Sequence, residues 1–341
     1  MQPDRTSTPR WRLRQLVSWQ PSRDGFTNSH RLLKSRLQFL PPSYQEVSRA
    51  IAKCRSSSSA CPYDQISIII LKKCPIIRTI VHRIIVQCWS TRQIPLVWKR
   101  GATVLIYKRG DPSIPDNFRP ITLQPVLYKM FSTVYSQRLN KFLTENHYLQ
   151  KNIQKGFEKG IDGVTEHTEM LSHIIHTAKR ENRSICISLL DLKNAFGLVQ
   201  HTLIKQALLF HHVPEEFIQI FEDIYKNSSI SVALGGTWTR NISVERGVLQ
   251  GDPSSPLLFN ICMNTFLLTL NRPEFAQLGF SWGKQNNRRS RSWLQYADDA
   301  IVISPDVKAA QQLLSMFESW CLHTGMIVNK DKMPNIRYAE T

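Results

Sequence analysis

No two of the seven cysteines (54, 61, 74, 88, 186, 262 and 321) stand in a C-x-x-C pair. Their number is odd in a chain of 341 residues, which argues against a disulfide framework and for a reducing compartment. Ligand spacing for a zinc site is missing as well. No stretch approaches the roughly 20 apolar residues that a membrane-spanning helix needs, and the Arg-rich N-terminus lacks an apolar signal core. The expectation is an intracellular protein that is neither secreted nor membrane-spanning. Internal repeats and long low-complexity tracts are absent, which removes repeat architectures. Negative charge is scarce too: 26 Asp plus Glu against 44 Lys plus Arg leave a formal +18. Such an excess points to a polyanionic partner, nucleic acid first and an anionic membrane surface second, with a plain solubility charge as the competing reading.

What is present is enough chain to bury a substantial core, as one large domain or one domain built of subdomains. Residues 1–40 are basic and weakly patterned, with Arg10, Arg12 and Arg14 around Trp11. After Pro41-Pro42, Ser43 and Glu46 form a capping-box pattern that predicts a helix to about Lys53. Two apolar helices are expected between Ile66 and Trp89, separated by Pro75, the second with Ile77, Ile80, Val81, Ile84 and Ile85 on one face. Thr103 to Tyr107 reads as a strand ending at Lys108, and a Gly/Pro-rich turn returns the chain to Phe118. Helices are predicted over 126–142, 163–180, 201–210 and 214–225. A hairpin is predicted around Gly235-Gly236. An apolar helix opening at Ser255-Pro256, a basic loop over 286–291 and a helix over 307–323 complete an α+β order. His173 and His176 have no partner cluster and read as surface residues.

The organising stretch is Gln295 to Ile303, a tight hairpin with Asp298 and Asp299 at its tip. The apolar, β-branched arm that follows them suits a buried strand. Adjacent carboxylates repel, and a divalent cation would resolve that repulsion, since hard cations take carboxylate oxygens. A third carboxylate, Asp191, ends another apolar stretch, Ser184 to Leu190. Three acids on two strand ends can serve metal-assisted phosphoryl displacement, with cations about 3.5–4 Å apart. The competing reading has Asp191 capping a turn and the Asp pair as a solvated tip. Phe196, five residues after Asp191, could pack as core or stand under a sugar. Gln250-Gly251-Asp252-Pro253 precedes a helix and could meet a nucleotide through backbone N–H groups. Lys108 and Arg119 are candidate phosphate contacts.

Taken together, from about residue 40 onward, the chain resembles a reverse transcriptase. It is most similar to the polymerases of non-LTR (LINE-type) retrotransposons, in lineages that pair the polymerase with a restriction-like endonuclease. The blocks are Asn117 to Leu123, Gln154-Lys155-Gly156-Phe157, Asp191 to Phe196, Gly247 to Pro253 with Ser255-Pro256-Leu257, Tyr296 to Asp299, and Gly325 to Lys332. The resemblance implies a right-hand polymerase with fingers over about 41–180 and a palm over about 181–341, its antiparallel sheet packed on helices. It implies that Asp191 and Asp298 ligate two magnesium ions, or manganese in their place. Asp299 would be a weaker or structural ligand, and the Leu192 main-chain oxygen would complete one site. Phe196 would select deoxynucleotides, Gln250 and Gly251 would line the nucleotide pocket, and Arg119 and Lys108 would hold the triphosphate. Lys332 would protonate the leaving pyrophosphate. An RNA template, a DNA primer and dNTPs are the implied partners, and the nucleus the implied location.

Two departures qualify the expectation. Cys61-Pro62-Tyr63-Asp64-Gln65 lacks the glycines usual in the family's turn there, and a side chain costs energy wherever φ must be positive. Only nine residues follow Lys332, too few for a primer-gripping hairpin, a helical thumb or an endonuclease. The first functional reading is RNA-directed DNA polymerase. The second is a truncated, inactive element copy that binds nucleic acid non-specifically. A third, RNA-dependent RNA polymerase, is disfavoured by Phe196.

Overall fold

Ser43 opens the first helix, α1 (Tyr44–Lys53), by the expected reciprocal cap: its hydroxyl accepts the Glu46 amide and the Glu46 carboxylate accepts the Ser43 amide. The computed structural model describes residues 37–56, 61–158, 160–283, 287–329 and 335–338. Ahead of α1, Phe39 stacks on Trp89 at 5.4 Å, so the folded body starts inside the stretch expected to be a loose extension; residues 1–36 lie outside the described residues.

Pro75 separates α2 (Ile68–Lys73) from α3 (Pro75–Thr91) and occupies the first turn of α3, where no amide partner is lost. The buried face of α3 is Val81, Ile85, Cys88 and Trp89. Ile80 and Ile84 do not share it: with Ile76 they form the neighbouring i, i+4, i+8 row and remain exposed. Apolar count alone could not tell which of two adjacent rows meets the rest of the fold. Next come β1 (Arg100–Tyr107), β2 (Phe118–Leu123), α4 (Val126–Glu145) and α5 (Gly163–Arg180). Trp89 packs between Phe131 of α4 and Phe217 farther along, with Arg138 over its ring.

The chain continues through β3 (Ile185–Leu190), α6 (Ala195–Leu198), α7 (His201–Phe210), α8 (Glu215–Tyr225), β4 (Ser229–Leu234), β5 (Thr237–Trp238) and β6 (Ile242–Ser243). Gly235 and Gly236, both at positive φ, make the two-residue turn between β4 and β5. Then follow α9 (Ser255–Leu270), β7 (Phe280–Trp282), β8 (Arg289–Arg291), β9 (Trp293–Tyr296), β10 (Asp299–Ser304), α10 (Val307–Thr324) and β11 (Asn335–Tyr338). Ser254, not Ser255, is the N-cap of α9. Part of the expected basic loop is β8, paired antiparallel with β7.

Two sheets organise the molecule. One runs β2-β1-β4-β5, with β6 also on β4 and a parallel β1–β4 pair. It joins residues from both sides of position 180, so a single cut there does not separate the sheets. The other runs β11-β3-β10-β9 and is antiparallel throughout, as expected of the palm. Period-2 alternation divides its faces. Ile185, Ile187, Leu294 and Ile303 pack with Ile174 and Ala178 of α5. Trp293 meets Phe266 of α9 and Phe317 of α10 on the other side. Among the described residues, no helix is long and apolar enough to cross a membrane.

Candidate active site

Strands β9 and β10 pair Tyr296 with Asp299, leaving Ala297 and Asp298 as the two turn residues. Ala297 has φ +56°, and Asp298 is not among the positive-φ residues. A two-residue turn with only its first centre left-handed is the II′ geometry that normally takes glycine there. The β3–β10 register pairs Ala300 with Leu190; one further step sets Asp299 opposite Asp191. Burial pushes the Asp298 carboxyl above its usual range, and the negative charge of Asp191 adds to the rise, while Arg119 and Lys108 draw it down. Three other residues singled out in the sequence, Asp191, Arg119 and Lys108, therefore lie within electrostatic reach of Asp298.

Asp191 is held from the segment after α10. The Asn329 side-chain amide donates to its Oδ2 at 2.9 Å, and the Asn329 backbone N–H donates to its carbonyl at 2.8 Å. With the Lys193 N–H bonded to the Ile327 carbonyl, these bonds flank a bridge between Leu192 and Val328. In that narrow pairing the Leu192 carbonyl points away from Val328.

Two carboxylates in electrostatic contact, with an outward carbonyl next in sequence to one of them, are hard-oxygen donors of the kind a divalent cation takes. Among the described residues, however, no three His, Cys, Asp or Glu side chains are grouped as a metal site. The expected three-acid cluster is thus an electrostatically coupled Asp191–Asp298 pair with Asp299 alongside. Asp298 lies in the turn and Asp299 opens β10, and Asp299 is exposed whereas Asp298 is half-buried.

Phe196 is half-buried. One of its faces stacks on Phe259 of α9 at 4.7 Å, and Phe157 meets it edge-on at 5.8 Å. Core packing and a wall position are therefore not alternatives here, because the ring does the first with one face. The Gln250 carbonyl accepts the Thr122 N–H of β2 at 2.7 Å. Gly251, at φ +120°, has no room for a Cβ against the Thr122 carbonyl. That close approach ties the Gln250-Gly251 turn to the strand that carries Arg119. Behind it, buried Asp252 accepts hydrogen bonds from Tyr128, Ser132 and Ser254; burial nonetheless pushes its carboxyl up.

The sequence profile described as reverse transcriptase (RNA-dependent DNA polymerase) matches residues 106–338, more than half of the chain. The chain belongs to the reverse transcriptase family. Curated relatives include the "Retrovirus-related Pol polyprotein from type-1 retrotransposable element R2" of Nasonia vitripennis, 32% identical over 69% of this chain and 22% of that polyprotein. The corresponding type-1 R2 polyprotein of Popillia japonica is 29% identical over 77% of this chain and 36% of its own length. The type-2 element R2DM polyprotein of Drosophila melanogaster is 26% identical over 70% of this chain and 21% of its own length. The chain thus spans between a fifth and two-fifths of these relatives. Among solved structures, apo telomerase from Candida tropicalis, truncated from its C-terminal domain, superposes with a TM-score of 0.50 at 13% identity. That match covers 72% of this chain and 51% of the telomerase chain, a likeness of fold.

Within this reverse transcriptase, Lys332 lies outside the described residues. Gln154, Asn329 and Asp252 stand at the site although no chemistry was read from them in the sequence. Gln154 and Asn329 carry no charge, so their membership in matching blocks was their only signal. Asp252 was visible as part of a turn, but its burial depends on α4, which is far away in sequence.

Proposed function

We propose that this chain is the RNA-directed DNA polymerase part of a retrotransposon polyprotein, adding dNTPs to a primer 3′-hydroxyl on an RNA template. The observation that carries this reading is the β3–β10–β9 register, which brings the Asp298 turn to the end of β3 that carries Asp191, with Arg119 and Lys108 in electrostatic reach of Asp298. Asp191, Asp298 and the Leu192 carbonyl would hold the divalent ions, two magnesium ions in this reading, with Asp299 as a weaker or structural contributor. When bound, such ions lower the charge barrier between a hydroxyl nucleophile and a triphosphate.

The chain's own residues do the rest. Arg119 and Lys108 neutralise triphosphate oxygens. The Gln250-Gly251 turn bounds the base and template side. Phe196, stacked on Phe259, would stand against the sugar and reject a 2′-hydroxyl by bulk. Catalysis of this kind is positioning plus electrostatics, and a rigid palm supplies both. The formal +18 charge suits a surface that tracks a template–primer backbone without reading sequence. Insertion into chromosomal DNA would place the protein in the nucleus.

Primer extension on poly(rA)/oligo(dT) with Mg²⁺, comparing wild type with Asp298→Asn, tests the reading. Incorporation of dTTP by wild type and not by the variant supports it. Equal, background incorporation with salt-sensitive nucleic-acid binding retained would leave a binding protein in place of a polymerase.

A further inference from the structure

Ala297 occupies a turn position whose positive φ favours glycine, directly before Asp298. A β-carbon there needs surrounding structure to hold it, and one side chain supplies most of that hold. Gln154 is buried, and its Oε1 accepts the Ala297 N–H at 2.8 Å while its Nε2 donates to the Ala297 carbonyl at 3.1 Å. Both polar groups of the strained residue are therefore bonded by the same planar amide. The Gln154 Oε1 also accepts the Gly156 N–H at 2.8 Å, which fixes the orientation of that amide.

The clamp is itself anchored. Ile153 and Lys155 exchange backbone bonds with Gln295, the residue two before Ala297, at 3.0 and 2.9 Å. Gln295 adds a second donor to the Ala297 carbonyl at 2.9 Å, and its own Oε1 is oriented by the Trp293 indole at 3.1 Å. Gly156 lies so close that a Cβ there would collide with the Ala297 nitrogen, and the Asn260 amide of α9 holds the Gly156 carbonyl at 2.9 Å. A buried glutamine is expensive to place, and two of the three hydrogen bonds its side chain makes here go to the Ala297 peptide groups, the third to the Gly156 N–H.

We infer that Gln154 is the positioning residue of the acidic hairpin, imposing the left-handed conformation of Ala297 and thereby aiming Asp298 at Asp191. The catalytic half of this statement rests on the polymerase reading above; the conformational half does not. Two variants separate them. Gln154→Met keeps length and volume and loses all three hydrogen bonds, while Gln154→Asn stays polar and is one methylene too short to span the peptide.

Amide hydrogen exchange read residue by residue gives the first result. In either variant the Ala297 amide is expected to exchange at least about tenfold faster than in wild type, with the β3 amides of Ile185 to Leu190 unchanged. If Met at this buried site unfolds the chain, the Asn variant carries the comparison. Primer extension gives the second: kcat is expected to fall on the order of tenfold to a hundredfold, with KM for dNTP within about twofold. Adding Ala297→Gly to the Met variant restores part of kcat, because glycine takes the turn conformation without help. An Ala297 amide that stays protected in a folded variant overturns the inference, as does a failure of Ala297→Gly to restore any lost kcat. If wild type itself extends no primer, the polymerase reading falls and the exchange result still decides the clamp.

Discussion

Phe196 illustrates how a ring packed as core could also serve as the gate of the proposed reaction. Its contact with Phe259 fixes the ring plane, and a fixed ring can refuse a hydroxyl where a mobile one would yield. Phe196→Ala is expected to raise the ratio of rNTP to dNTP incorporation by about tenfold, the scale at which a pocket distinguishes small groups. Competing incorporation on one template measures it; an unchanged ratio would assign the ring to packing alone. His211 carries a different residue-scale consequence. Its Nδ1 bonds the Ala207 carbonyl and its Nε2 faces the Asn264 amide donor, an arrangement that suits the neutral ring. Burial holds its pKa at about 4, below the usual 6.5. The unfolded chain therefore takes up this proton first as pH falls. The neutral ring's contribution to stability is full above about 6.5 and is lost progressively towards about 4. Thermal melts across that window should show a decline that His211→Gln flattens.

At the scale of elements, the Gln250-Gly251 turn is held from behind. Asp252 links the start of α9 to α4 through the Tyr128 and Ser132 hydroxyls. Asp252→Ala strands those buried donors and the Ser254 hydroxyl, at about 1–3 kcal/mol each. A total loss of about 3 kcal/mol or more is expected in denaturant unfolding, and a loss below 1 kcal/mol would contradict the anchoring role. Elements with a local cause were legible in the sequence: α1 from its capping box and the β4–β5 turn from two glycines. The β9–β10 hairpin was legible from its turn and apolar arm. What needed tertiary context was not. The exposed Ile80–Ile84 row looks as apolar as the buried one beside it. The parallel β1–β4 pairing joins strands more than 100 residues apart. The site followed the same rule: the acids stood out by charge, whereas Gln154 and Asn329 act through hydrogen bonds that only the fold creates. The split of Asp298 from Asp299 arises in the turn itself, which adjacency in sequence conceals.

At the scale of the whole molecule, the excess of 44 basic over 26 acidic residues is set against a site whose centre is acidic. Basic side chains would bind the polyanion and the acids would hold the ions that make its ends reactive. Affinity for a template–primer duplex should therefore fall linearly with the logarithm of salt concentration, with a slope set by the phosphates neutralised. A flat salt response would remove the backbone-tracking surface from the account. The claim on which the rest depends is that Asp191 and Asp298 hold cations jointly. Titrating Mn²⁺ into the protein with template–primer and an unreactive dNTP analogue, and following free Mn²⁺ by electron paramagnetic resonance, measures this directly. The account predicts two ions per wild-type chain, and at least about tenfold weaker binding in both Asp191→Asn and Asp298→Asn, a loss that even an outer partner of a metal site can cause. Identical isotherms for all three proteins would contradict it.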